Sequence, residues 1–422
     1  MLDLMPLKKI LLVEPPFYRI MGYERWYYPV TLTIIGSYLE ELGHEVRILD
    51  CDQPDKNCTS LTREQVRVNY AKYLTAVSTE SHPAWEEALN YIEEFKPDAV
   101  GLTSISAQID SANIIAKKIK QAFGKKITVL LGGAHVDGML SISSDFNFGK
   151  DYDRIIPRDK HLITKIFDRK PNKNLIVNVR GYKEAHFSSI LTSLGCPNHC
   201  AFCHHSLDRF FALRNIKNLR EELEEIKQYF PSAVSLNLID ESLVSKPEYF
   251  RQVGKLFKEF GFKFTAGARI TDLSKELIAD FKEYGGEKMH IGIESGSQNT
   301  LDRIEKQLQI KDIIERTKWL NQAKVPWQAF FIAGFPFESV EDLRLTEELA
   351  FRIEPTFISL NRFTPYPGTK IYNQLFARSD IEFRDLFQLN KKSCVRLSSE
   401  MDDYIDSLFQ RFDQYNLKHK NN

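Results

Sequence analysis

The chain has few cysteines, no net charge and no long apolar run. Six cysteines in 422 residues are too few for the disulfide framework that small secreted domains depend on. Three of the six, Cys196, Cys200 and Cys203, nevertheless fall in one short stretch, which in a reducing compartment reads as a metal site. Fifty-seven basic residues balance fifty-seven acidic ones, a balance that excludes broad electrostatic attraction to nucleic acid or to an anionic membrane. The first apolar run, in MLDLMPLKKILLVEPP, is short and is followed by Glu14 and two prolines. It lacks the length and flanks of a signal peptide or a membrane span, so a cytoplasmic protein without a membrane span is expected. Low-complexity segments and short-period repeats are missing as well.

What is present can build a large core: 43% of residues are apolar and 12% aromatic, enough for two or three domains. The short apolar runs 8–14, 45–50, 98–104 and 126–133 read as buried parallel strands, with a fifth starting at Asp151. Segments of helical period begin between them at Thr31, Ala84 and Ser111. This α/β alternation predicts a Rossmann-like doubly wound sheet over residues 1–170, with ligands at the carboxyl ends of its strands. The polar stretch 169–174, RKPNKN, reads as a linker. A second series follows, with strands near 187–193, 233–239, 262–269, 288–294, 326–333 and 356–363 and helices from about Asn215, Lys246, Thr271, Gln298 and Glu338. Six strands in about 180 residues fall short of the roughly 250 of a complete eight-fold barrel. A partial (βα)6 TIM barrel over 175–370 is predicted instead. Residues 371–422 are charged, with helical period in MDDYIDSLFQRF. They predict a short, partly helical C-terminal segment that covers the open barrel or reaches a substrate.

The spacing Cys196-x-x-x-Cys200-x-x-Cys203 directly follows FSSILTSLG, at the carboxyl end of the first barrel strand, where barrels carry their chemistry. Thiolates bind iron strongly. One loop with this spacing reaches three corners of a [4Fe-4S] cubane and leaves the fourth iron open to a substrate. A zinc site completed by His204 or His205, or chance grouping of small buried residues, are the other readings of these residues alone.

With Phe202 just before the third cysteine, this stretch resembles the signature of radical S-adenosylmethionine (SAM) enzymes. LIDES at 238–242, MHIGIESGSQNTLDRIEK from 289, FIAGFPFES from 331 and NRFTPYPGTKIY from 361 resemble successive strand-end motifs of the subgroup that carries an N-terminal cobalamin-binding domain. The resemblance implies that SAM chelates the fourth iron and is cleaved by one electron to methionine and a 5′-deoxyadenosyl radical, which abstracts hydrogen from an unactivated carbon. That chemistry belongs to the cofactor, and the protein positions and shields it.

The same resemblance implies residue roles. Asp240 and Glu241 stand in place of the family's G-G-E motif, without its glycines, and Glu241 would bind the SAM ammonium. Arg269 would pair with the SAM carboxylate or form an ordinary ion pair. Glu294 and Ser295 would bond the ribose hydroxyls or the amino group, and Gly334, Pro336 and the stretch Pro365 to Thr369 would shape the adenine pocket. The literal Gly285-Gly286-Glu287 precedes the fourth barrel strand and reads as a helix stop. In the N-terminal half, Thr103, Ser104 and Ser106, with Gly132, Gly133, Ala134 and His135, resemble the S-x-L and G-G regions that let cobalamin pass close to backbone. The D-x-H-x-x-G motif is absent, because the loop after the first strand reads EPPFYRIMGYERW. His135 is therefore expected to line or cap a pocket rather than ligate cobalt. A methylthiotransferase would carry a second three-cysteine set where only Cys51 and Cys58 stand. Cys394 is read as an ordinary thiol.

These implications add up to a cobalamin-dependent radical SAM enzyme with a [4Fe-4S] cluster, SAM and cobalamin as cofactors, methylating an unactivated carbon. The expected partners are a small-molecule or biosynthetic-intermediate substrate and an electron donor such as flavodoxin or ferredoxin, with no nucleic acid. Radical cyclisation, ring rearrangement, phosphorus methylation, an N-terminal domain that has lost cobalamin, and a non-catalytic iron-sulfur electron carrier are the alternatives.

Overall fold

The computed structural model describes residues 7–204, 211–376, 383–387 and 394–419. In the N-terminal half, β1 (Lys9–Glu14), β2 (Glu45–Asp50), β3 (Ala99–Thr103), β4 (Thr128–Gly132) and β5 (Arg154–Ile155) form one sheet in the order β2-β1-β3-β4-β5. All its pairings are parallel. Ile10, Leu11, Leu12 and Val13 are buried in succession rather than alternately, because helices cover both faces of the sheet. Ile10 and Leu12 pack with α1 (Val30–Glu41) and α6 (Lys160–Phe167). Leu11 and Val13 pack with α2 (Arg63–Thr79), α3 (Pro83–Phe95) and α4 (Ile109–Phe123). Helix α5 (Ala134–Ile142) leaves the tip of β4.

The second half holds a six-stranded parallel sheet in chain order: β6 (Ser189–Ile190), β9 (Ser235–Leu238), β10 (Lys263–Ala268), β11 (Gly286–Glu294), β12 (Trp327–Ala333) and β13 (Phe357–Arg362). A separate antiparallel ribbon pairs β7 (Ser193–Gly195) with β8 (Phe211–Leu213). Helices α7 (Ile216–Tyr229), α8 (Pro247–Glu259), α9 (Lys275–Glu283), α10 (Gln298–Arg303), α11 (Ile310–Gln322) and α12 (Val340–Arg352) return the chain between strands. Here one face turns outward to helices and the other inward to the site, so burial alternates. Trp327, Ala329, Phe331 and Ala333 of β12 are buried, with half-buried residues between them. In α8 the buried stripe Tyr249, Phe250, Val253, Leu256 and Phe257 has helical spacing, and Gly254 leaves room for the Tyr284 ring, which a Cβ would meet at 2.3 Å.

After α13 (Lys370–Phe376), helix α14 (Ser399–His419) closes the far edge of the second sheet. The Asn416 amide accepts from Ile358 N and donates to Ile358 O, both at 2.8 Å, taking up the backbone groups of an edge strand. Among the described residues no helix is long and apolar enough to cross a membrane.

The α/β reading and the two series of parallel strands agree with the sequence, but several local expectations need correction. FSSILTSLG is not one strand: β6 stops at Ile190, because the Thr192 and Ser193 N–H groups donate to the Asp240 carboxylate instead of to a neighbouring strand. The fifth N-terminal strand begins at Arg154, not Asp151. The helix expected from Thr271 is a 3-10 turn, Ile270–Asp272, followed by α9, which Ser274 caps at Leu277 N. The stretch read as a linker is a packed seam rather than a tether, with Lys173 5% exposed and paired to Glu222. Its polarity reflects ion pairing. Helices α2, α5 and α6 were not anticipated, although the Thr62–Gln65 capping box announces α2.

Candidate active site

The cysteine loop leaves β7 directly, and its position is set by the carboxylates at the end of β9. Asp240 is buried and accepts from Thr192 N, Thr192 Oγ1, Ser193 N and Ser193 Oγ. Burial is the main force raising its pKa, to about 6, against the opposing hydrogen bonds. Asp240 is thus engaged within the fold, holding the turn before the cysteines. Glu241 accepts from Gly195 N at 2.9 Å, one residue before Cys196. Further on, Ala201 N donates to Ile304 O at 2.8 Å, and Ile371 N donates to Ala201 O at 3.0 Å. The loop is therefore gripped from β9, from the turn after α10 and from α13. None of Cys196, Cys200 and Cys203 is in a disulfide, and the Asn198 amide donates to Cys196 Sγ at 3.4 Å. His205, one of the two histidines of the zinc alternative, lies outside the described residues.

Around Cys200 the structure gathers residues from three strand ends. Burial pushes its thiol pKa up, while the Lys306 and Arg269 cations pull it down. Among the described residues Arg269 donates to Thr271 Oγ1 at 3.0 Å and to Gln307 O at 3.2 Å rather than to a carboxylate. Glu294 is buried, with a left-handed φ of 70°, and pairs with Lys306 at 2.7 Å. Ser295 is buried and shares a hydrogen bond with Thr346 at 3.0 Å. Phe202 meets Phe335 edge-on at 5.9 Å, which sets the cysteine loop against the Gly334-Phe335-Pro336 turn. Glu338 accepts from Gly334 N at 2.8 Å and from Phe335 N at 3.1 Å, and burial raises its pKa to about 8. Lys306 and Glu338 were not singled out in the sequence, although both lie within the quoted motifs.

At the N-terminal sheet, the tips of β3 and β4 are bound to each other. Ser104 N donates to Gly132 O at 3.1 Å, and His135 N donates to Ser104 O at 3.1 Å. Gly133 has φ 101°, and a Cβ there would lie 2.6 Å from Ser104 O and 2.9 Å from Thr103 Oγ1. A bulky residue at 133 therefore collides with the protein itself. We expect Gly133→Val to destabilise the chain by about 2–4 kcal/mol through strain and overlap, measured by denaturant unfolding. Thr103 and Ala134 are half-buried at the same tips. His135 is buried, lies 3.1 Å from Ser106 Oγ through Nδ1, and meets the Phe383 ring at 4.6 Å. Burial lowers its pKa to about 4, so it is neutral.

The loop after β1, in which no histidine motif was found, holds a buried charge cluster. Arg25 pairs with Asp50 and lies 3.9 Å from Glu14 and 3.8 Å from Asp52. Burial raises the pKa of both Glu14 and Asp52 to about 7, against the pull of Arg25. The folded chain thus holds protons on Glu14, Asp52 and Glu338 that the unfolded chain, with ordinary carboxyls at 4.5 and 3.8, has released. Stability from these groups is fully present below about pH 4 and is lost as pH rises through about 7 to 8. The melting temperature should fall between about pH 5 and about pH 8, and Asp52→Asn should flatten that fall.

The two sets of strand tips face one another. Gly138 of α5 lies against Pro367, where a Cβ would meet Pro367 O at 2.6 Å, and Gly368 lies against Ser141 and Gly138. His204, next to Cys203, is within electrostatic reach of His135, and Tyr366 is within reach of both Cys203 and Cys394. Residues Phe383–Asp385 cover the turn Ser106–Gln108, and Phe387 packs on Phe17 at 5.3 Å and Tyr70 at 4.8 Å. Cys394 donates to Asp385 O at 2.8 Å and so pins this strap to itself.

A protein with a three-cysteine loop at the mouth of an open parallel barrel, facing the strand tips of a Rossmann-like sheet, belongs to a class defined by its two domains. Residues 190–350 match the Radical SAM superfamily and residues 24–141 match the B12 binding domain. The chain is a radical SAM enzyme of the group with an N-terminal cobalamin-binding domain. It is 24% identical over 421 residues to an uncharacterized methyltransferase, PH0819, of Pyrococcus horikoshii, with 89% of this chain and 84% of that protein covered. Among solved structures it is similar to the radical SAM methyltransferase TsrM of Kitasatospora setae with cobalamin and a [4Fe-4S] cluster bound, at TM-score 0.60 and 13% identity over 87% of this chain and 77% of that one. It is also similar to the cobalamin-dependent enzyme OxsB with SAM and aqua-cobalamin bound, at TM-score 0.58 and 15% identity over 97% of this chain and 62% of that one. At these identities the structural likeness speaks for the fold.

The two domains imply a [4Fe-4S] cluster, SAM and cobalamin as cofactors. Three cysteine sulfurs outside any disulfide, on one clamped loop, suit the cluster in donor chemistry. The small residues at the tips of β3 and β4 suit a cofactor that approaches backbone closely, with Ser106 and His135 lying beneath the Phe383 strap.

Proposed function

We propose that the chain methylates an unactivated carbon of a small molecule, working in the cytoplasm with an electron from a flavodoxin or ferredoxin and without a nucleic-acid partner. When bound, SAM and the cluster supply hydrogen abstraction from the substrate, and cobalamin supplies the methyl group. Cys196, Cys200 and Cys203 hold the cluster, with the Asp240-bonded turn fixing their loop. Glu241, Arg269, Glu294 and Ser295 present the polar groups for SAM, while Phe202, Gly334 and Pro336 enclose it. Thr103, Ser104, Ser106, Gly132, Gly133, Ala134 and His135 form the cobalamin side, with His135 lining the pocket. Residues 1–170, 175–370 and 371–422 act as cobalamin domain, radical domain and cover.

The observation that carries this reading is the contact of α5 with the Pro367–Gly368 turn, which sets the two strand-end faces against each other. A substrate radical made between these faces is shielded from water and within reach of a methyl donor. The solved TsrM with tryptophan and a SAM analogue bound is a small-molecule case on a similar fold.

Incubation with SAM, methylcobalamin, reductant and candidate small molecules tests the reading. 5′-Deoxyadenosine and S-adenosylhomocysteine should form in comparable amounts, with deuterium passing from the target carbon into 5′-deoxyadenosine. A methylated product without 5′-deoxyadenosine would contradict it. Because the strap covers Ser106 and His135, cobalamin binding should raise amide exchange at Phe383–Phe387, and unchanged exchange on saturation would show that cobalamin enters another way.

A further inference from the structure

We infer that Lys306 is a positioning residue for the cluster, a buried cation that biases its redox equilibrium toward the reduced state and is held in check by Glu294. This rests on the radical SAM reading of Cys196, Cys200 and Cys203 and assigns a role to a residue outside the roles given above. Lys306 is 8% exposed, and its Nζ lies 2.7 Å from Glu294 Oε1 and 5.9 Å from the centre of the Phe202 ring, next to Cys203 in sequence.

The chain goes to some length to keep it there. Glu305 and Gln307, on either side of Lys306, both have φ 53°, and its partner Glu294 has φ 70°. Left-handed non-glycine backbone costs energy and persists where the surroundings dictate it. The turn is fastened on both sides: Ile304 O accepts from Ala201 N within the cysteine loop, and Gln307 O accepts from Arg269. Space is made for the pair at Gly292, where a Cβ would stand 2.4 Å from Glu294 Oε1 and 3.0 Å from Lys306 Nζ. The pairing of β11 with β12 shifts register between Gly292 and Glu294 to allow it.

The electrostatic consequence follows from the direction of charge. Reduction adds one electron from the donor to the cluster, so a buried ammonium beside Phe202 and within electrostatic reach of Cys200 stabilises the product of that step. Glu294, paired with Lys306, opposes this. Removing the cation should make reduction harder, and removing only its counter-charge should make it easier.

The test is the midpoint potential of the cluster in the anaerobically reconstituted full chain, read by EPR during redox titration, with iron content measured in parallel. Lys306→Met should leave roughly tenfold less reduced cluster at a fixed solution potential, a fall of about 59 mV for one electron. Lys306→Arg should stay within about twofold of the parent, and Glu294→Gln should shift the other way by a similar factor. Because the last two variants keep a cation at 306, they remain informative if Lys306→Met fails to fold. Equal potentials in the parent, Lys306→Met and Glu294→Gln, or a fall in Glu294→Gln, overturn the inference while leaving the radical SAM reading intact. A parent chain that incorporates no iron-sulfur cluster overturns that reading, and the role of Lys306 with it.

Discussion

Cys200→Ala is expected to abolish reductive SAM cleavage, lowering 5′-deoxyadenosine formation to background while the chain keeps its fold. Cys200 is buried, next to Ala201, which is tied to Ile304 and Ile371, and it lies within electrostatic reach of Lys306 and Glu294. A methyl group in place of the thiol is a small loss of volume at a site flanked by polar groups, so the expected cost in stability is only about 1 kcal/mol. The loss in chemistry is total, because a cubane with two protein thiolates is not held in the same state as one with three. Iron and sulfide content, visible absorption and 5′-deoxyadenosine measured together check this. A variant that retained SAM cleavage would remove Cys200 from the cluster.

The second large effect is expected at Asp240, through structure rather than chemistry. Its carboxylate satisfies four donors from Thr192 and Ser193 where β6 ends and the chain turns toward the cysteines. Replacing Asp240 by Ala leaves those buried donors without an acceptor, at a cost of about 3–5 kcal/mol, which is a large part of the stability of an ordinary domain. Asp240→Asn keeps the shape and one acceptor oxygen and should cost about half as much. Denaturant unfolding of the two variants measures this. Iron incorporation should fall with stability in Asp240→Ala, because the turn that aims β7 at Cys196 is released.

The sequence made the scaffold legible where hydrophobic pattern and period carry it. The consecutive apolar residues of β1 and the alternation in β12 mark a strand covered on both faces and a strand facing a site on one. Loop chemistry was harder to read, because it depends on contacts between residues far apart in the chain. Nothing local to FSSILTSLG says that Asp240, 48 positions beyond Thr192, will take its N–H groups. Nothing in RKPNKN says that Lys173 will be buried against Glu222. The cysteine spacing was local and therefore readable. Lys306 could have been found from Gly292: a glycine two residues before Glu294 at a strand end leaves a space that another side chain must fill. The Arg25 cluster had no such signal, since Glu14 ends β1, Asp50 ends β2 and Asp52 stands in the turn after it, and only the fold makes these ends adjacent.

The measurement that bears most directly on the function is anaerobic incubation of the reconstituted full chain with SAM and a strong reductant, without any substrate. Radical chemistry on Cys196, Cys200 and Cys203 predicts about four iron and four sulfide per chain and slow formation of 5′-deoxyadenosine and methionine, lost when any of the three cysteines is replaced. Stoichiometric zinc, no iron-sulfur absorption and intact SAM would contradict it.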